Sequence, residues 1–279
     1  MSTRSVADFR SDLQRATGTL AVAVKRRGAA SVLADLHQEG CLKARFPRAP
    51  DGFEVVVLNS SGGVAGGDAL AAAFSVGPGA RAVFASQAAE RFYRARHTDA
   101  PARLRTRITL AAGAMAEWLP QEAILFDGAA LDRRLEVNLA ADAWFLGVES
   151  LVFGRTAMGE RVGALRLADT IRIRRAGRLI LHDALRISGD AAALLARPAL
   201  AAGGAAVATL VHVAPDAAAQ LDTLRAAWAD APAETGASAW DGMLLGRIVA
   251  RDGAALRAAV LPGLAALRDG RGLPRVWLC

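Results

Sequence analysis

The stretch "LADTIRIRRAGRLILHDALRI", residues 167–187, decides the fold class. Ile171 and Ile173 alternate with Arg172 and Arg174, so an extended chain puts the aliphatic side chains on one face and the cations on the other. Ala176-Gly177 between two such runs predicts a hairpin turn, because the second residue tolerates positive φ without a Cβ clash. Outward from this hairpin the same period of two recurs. "RLRTRITL" (103–110) alternates Arg103, Arg105 and Arg107 with Leu104, Thr106 and Ile108, and "LEVNL" (135–139) alternates again before the short link "AADA". Short strands at this spacing predict a mainly β protein: a layered, largely antiparallel β-strand scaffold, not a series of βαβ units.

A few helices are expected toward the C-terminal part. "DAAAQLDTLRAAW" places Leu221, Leu224 and Trp228 on one helical face behind Asp216 as a candidate N-cap. "GAALRAAVLPGLAAL" is a second helical stretch, with a break expected near Pro262. No internal repeat, low-complexity linker or composition boundary divides the chain, so residues 1–279 are read as a single domain, with 1–16 a candidate disordered segment.

Composition narrows the class. With 279 residues, 53% hydrophobic and 22% charged, the chain can bury a substantial core. The N-terminus mixes Asp8 and Asp12 with arginines and has no apolar run, so no secretory signal is expected, and no stretch is apolar enough to predict a membrane span. Two isolated cysteines, Cys41 and Cys279, build neither a disulfide framework nor a structural zinc site, which favours a reducing cytoplasm. The net charge of +7 is carried almost wholly by arginine, Lys25 and Lys43 being the only lysines. The arginines form no basic block with interleaved aromatics, so nucleic acid is not an expected partner.

"LNSSGGVAGGDAL" (58–70) follows an apolar run and has the Gly62 to Gly67 span of a phosphate-binding loop, yet Asp68 stands where such a loop needs a lysine. A carboxylate there repels phosphate. Gly62, Gly63, Gly66 and Gly67 also contain no G-x-G pair, so the stretch reads as a structural turn, or as a loop presenting Asp68 to a polar or metal contact. No G-x-S-x-G, H-E-x-x-H or H-x-x-x-H occurs, and the four histidines are scattered. Carboxylates are more informative. Glu117, Glu122, Asp127 and Glu149 sit in otherwise apolar segments, where each either points to the wet face of a strand or lines an internal polar cavity and needs a partner there.

Five motifs taken together, "NSSGGVAGGD", "ASQAAERFYRA", "EWLPQEAILFDGA", "LGVESLVFGRTAMGE" and the terminal "PRVW", resemble the urease accessory protein UreD (UreH) family over nearly the whole chain, from about Gly40 to Trp277. The resemblance implies a non-enzymatic scaffold that binds urease apoprotein and works with UreF and the GTPase UreG, with nickel passing transiently through an internal passage and no tightly bound cofactor. By motif position, Asp68, Glu122, Asp127, Glu149 and Glu160, with Glu39 of "HQEG", are candidate nickel waystations. Oxygen ligands suit a conduit, since imidazole and thiolate hold the ion more tightly than release allows. Two departures stand out. Asn59-Ser60-Ser61 replaces the family's common His-Pro-Pro, and Glu90 stands where a cation is usual. Two other readings of the residues remain: a β-rich hydrolase with a carboxylate acid–base pair, and an Arg-faced nucleic-acid-binding domain.

Overall fold

A computed structural model of the protein describes residues 15–49, 52–96 and 98–278. Strands are numbered in chain order. Seven form one sheet in the order β14 (Arg178–Gly189), β13 (Leu165–Arg175), β11 (Ala130–Leu139), β8 (Ala102–Leu110), β5 (Ala69–Val76), β1 (Thr17–Arg27) and β2 (Ala30–Gly40). The second sheet runs β16 (Glu234–Trp240), β17 (Met243–Ala250), β15 (Ala206–Val213), β12 (Trp144–Phe153), β9 (Met115–Leu119), β6 (Arg81–Ser86), β4 (Phe53–Asn59) and β3 (Leu42–Arg45). Two short strands, β7 (Glu90–Phe92) and β10 (Ala123–Leu125), extend it beside β12.

The protein is mainly β, as its alternating sequence predicts, but the expected largely antiparallel pairing needs correction. Nine strand pairs are parallel and six are antiparallel. The reason lies in the links. "GPGA" (77–80), "AAGA" (111–114) and "AADA" (140–143) each carry the chain from one sheet across to the other, from β5 to β6, β8 to β9 and β11 to β12. Each turn of the coil lays a strand beside its counterpart from the previous turn, running the same way. The arches stack through their own backbone bonds: Gly77 N donates to Val24 O at 2.8 Å, Ala111 N to Val76 O at 3.0 Å and Ala140 N to Leu110 O at 3.0 Å. Small residues suit such stacking, since bulk at an arch would separate it from its neighbour.

Antiparallel pairing survives at the flanks. The hairpin β13–β14 forms with Ala176 and Gly177 at φ 48° and 79°. Ile171 and Ile173 are buried, as their alternation predicts.

The space between the sheets is filled by residues of inward parity, including Leu20, Phe74, Phe84, Ile108 and Phe145, with the Phe74 and Phe84 rings 4.4 Å apart. A second core lies on the other face of the larger sheet, under α2 (Leu221–Ala227) and α3 (Gly253–Leu267). A shorter helix, α1 (Ala191–Leu195), follows β14. Leu224 and Trp228 are buried as expected, but residues 217–220 form a 3-10 turn ahead of α2 and the Asp216 side chain makes no cap. α3 is not broken at Pro262. Asp252 caps it by accepting from Ala255 N at 2.8 Å, and the burial of Leu256, Ala259, Val260 and Leu264 against the sheet outweighs the one backbone bond that proline removes. The expected disorder over 1–16 concerns residues 1–14, which lie outside the described residues. Arg15 and Ala16 are described, Arg15 pairing with Asp99 at 2.7 Å.

Candidate functional site

Inward parity on β11 and β13 is broken once on each strand by a charge. Arg133 lies among Leu131, Leu135 and Val137, and Asp169 among Leu167, Ile171 and Ile173. Parallel register sets the two side by side. The guanidinium grips Asp169 with both prongs, Nε to Oδ1 at 2.9 Å and Nη2 to Oδ2 at 2.7 Å. From the facing sheet, Glu149 on β12 brings Oε2 to 2.6 Å from Arg133 Nη1 without a well-angled hydrogen bond, and its Oε1 accepts from Trp118 Nε1 at 2.8 Å.

One cation therefore serves two buried carboxylates. Withdrawal from water pushes the Glu149 carboxyl up from its ordinary range; Arg133 opposes the shift and Asp169 adds to it. Arg133 is held more firmly protonated than usual because both carboxylates outweigh its own burial. The seam thus carries a surplus negative charge that a proton or another cation neutralises.

Clefts open on both sides of Glu149. One, of about 120 Å³, is bounded by Glu90, Trp118, Gln121 and Arg133; the other, of about 210 Å³, by Asp169, Asp183, Thr209 and Arg247. Glu149 lines both. At the far side of the first, Glu90 takes a hydrogen bond from Asn59 Nδ2 at 3.1 Å, and burial pushes its carboxyl up. In the second, Arg247 pairs with Asp183 at 2.7 Å.

The other candidate residues are placed elsewhere. Asp68 is 5% exposed and closes the glycine loop, Oδ1 accepting from Ala16 N at 2.9 Å and Oδ2 from Ala65 N at 2.8 Å. In that loop Gly63 has φ 135°, and a Cβ there would stand 2.3 Å from the Tyr93 ring. Asp127 and Glu160 meet: Asp127 N donates to Glu160 Oε1 at 3.1 Å while Asp127 pairs with Arg94 and Glu160 with Arg155, the latter at 2.8 Å. The Arg155 hydrogen bond holds the Glu160 carboxyl below its ordinary range. Glu122 reaches Arg257 of α3 at 3.3 Å. Glu39 is exposed on the edge strand β2, 3.7 Å from His37. Among the described residues no three of His, Cys, Asp and Glu converge as a closed metal-binding group. Of the residues beside Glu149, Arg133, Asp169 and Asp183 went unnoticed in the sequence. For Arg133 and Asp169 the signal was present, a charge at core parity in an alternating strand.

A family model described as UreD urease accessory protein matches residues 16–278. The chain belongs to the UreD urease accessory protein family. A urease accessory protein UreD from Xanthobacter autotrophicus is 46% identical over 264 residues, covering 95% of this chain and 90% of its own. Its counterpart from Sinorhizobium medicae is 46% identical over 269 residues, with 95% and 96% covered. Members of the UreD family are accessory proteins, so the chain is not a catalytic enzyme and the acid–base hydrolase reading falls. Among the described residues, no helix is long and apolar enough to cross a membrane.

Proposed function

We propose that this UreD-family chain matures urease as a chaperone of metallocentre assembly, binding the apoprotein and, with UreF and the GTPase UreG, supporting nickel insertion in the cytoplasm. The coarser part, a role in urease maturation, follows from family membership. The finer part rests on one observation: Glu149 is buried, shares a single arginine with Asp169, and borders a cleft on each side. A divalent ion passing between the sheets is attracted by the surplus charge. It is not trapped, because the seam offers oxygen ligands alone and too few of them to close around a metal. Of the six candidate waystations, Glu149 alone lines these two clefts, and the arginine it contacts is shared with Asp169. Asp68, Glu122, Asp127 and Glu160 lie outside both clefts, and Glu39 lies on an outer edge.

Co-expression of the urease structural subunits with the other accessory proteins, with and without this chain, tests the reading. Nickel-poor, inactive urease only in its absence, with UreF and UreG recovered alongside the chain, is the expected result. Fully loaded urease without it overturns the proposal.

A further inference from the structure

Strands β1, β5, β8, β11 and β13 form an unbroken parallel run. Parallel sheets occur almost always with both faces covered. Here one face packs on the second sheet, while the other carries no helix or loop layer among the described residues, α2 and α3 both lying on the far sheet. That outer face is shaped. Two cross-strand rows traverse it, Glu39–Thr19–Ala71–Arg105–Arg134 and His37–Ala21–Ala73–Arg107–Glu136. Thr19, Ala21, Ala71 and Ala73 make a floor of small side chains; a trough of about 380 Å³ lies over them. Its edges, on β1 and β11, stand three strand spacings apart, roughly 14 Å. An α-helix with its side chains is about 10–12 Å across and fits between them.

Charge selects the kind of helix. The outward positions of β8, β11 and β13 carry seven arginines against two carboxylates, Asp132 and Glu136, which pair with Arg105 and Arg107. Arg134 beside them has no ion pair among the described residues, and its Nε is buried without a hydrogen-bond partner. We propose that this trough docks an amphipathic α-helix of a partner protein, its small or apolar side on the alanine floor and its carboxylates against Arg105, Arg107 and Arg134. Helix packing covers a parallel sheet in the usual way, and an acidic flank supplies Arg134 with an acceptor. The docking face is turned away from the Glu149 seam and stands or falls independently of the nickel reading.

A photo-crosslinking benzoylphenylalanine at Ala71, in full-length chain co-expressed with urease subunits and accessory proteins, reads the occupant directly. The expected crosslink, located by mass spectrometry, is to a partner helix with aspartates or glutamates along one flank. Ala73→Trp fills the trough from an exposed position and lowers the recovered complex by roughly tenfold or more without changing the melting temperature. Arg134→Glu does the same and is rescued by reversing a carboxylate of the crosslinked helix to arginine. Crosslinks to a basic or extended segment, to a second copy, to residues 1–14 of the same chain or to nucleic acid overturn the proposal, as does undiminished complex with Ala73→Trp.

Discussion

Arg133 and Asp169 occupy paired positions on neighbouring parallel strands and form a two-pronged ion pair in the space between the sheets, at 2.9 and 2.7 Å. The pair uses most of the guanidinium before Glu149 arrives from the opposite sheet. What remains is a single Nη1 contact, so Glu149 is the underpaired member of the three.

Removing the shared cation exposes this imbalance. Arg133→Met leaves Asp169 and Glu149 buried, close together and without their counter-charge. Loss of one partner from a buried pair costs about 3–5 kcal/mol. Urea unfolding at pH 7 is expected to show a loss in that range, and a loss below about 1 kcal/mol would mean that water reaches the seam freely.

Glu149→Gln is expected to act in the opposite direction. The folded carboxyl titrates above its ordinary value of 4.5, so its contribution to stability is fully present below that pH and is lost as pH rises through the folded value. Gln keeps an acceptor for Trp118 and never ionises. The variant should approach wild type below pH 4.5 and exceed it in stability at pH 8. A variant less stable than wild type at pH 8 would show that the Arg133 contact outweighs the desolvation.

These two residues also mark the limit of what the sequence discloses. Alternation in "TIRIRR" and "RLRTRITL" reveals strands, and the parity of Arg133 and Asp169 among aliphatic neighbours reveals an internal charge. Pairing is different. "AAGA" and "AADA" look like tight turns between antiparallel neighbours, but they are arches between sheets, and nothing in four small residues distinguishes the two. The motif positions were of mixed value for the same reason. Glu149 and Asp68 both interrupt apolar surroundings, yet only the tertiary contacts show that Asp68 is consumed by two backbone amides while Glu149 faces two clefts.

Asp68 is accordingly expected to govern stability. Asp68→Ala leaves Ala16 N and Ala65 N without their acceptor, a loss of about 2–3 kcal/mol. Asp68→Asn keeps one acceptor oxygen and should recover part of it. Thermal unfolding of the two variants checks the order, and urease activation should track stability across them.

His212 should set the acid sensitivity above the carboxylate range. It is buried beside the Trp144 ring, centroids 5.0 Å apart, with Nδ1 3.3 Å from Phe145 O, and burial holds its pKa below 6.5. A depressed histidine contributes stability above its unfolded pKa that is lost as pH falls toward the folded value. Wild type should therefore lose stability as pH falls below 6.5, and His212→Gln should flatten that slope. An unchanged slope would assign the acid loss to other groups.

On the proposed reading, Glu149 serves the passage of nickel and not the fold. The most direct measurement is the nickel content of urease matured in cells with Glu149→Gln in place of the wild-type chain, alongside the yield of the maturation complex. Undiminished complex, a chain at least as stable as wild type, and urease depleted of nickel are expected. Urease fully loaded with nickel by the Glu149→Gln chain would contradict it.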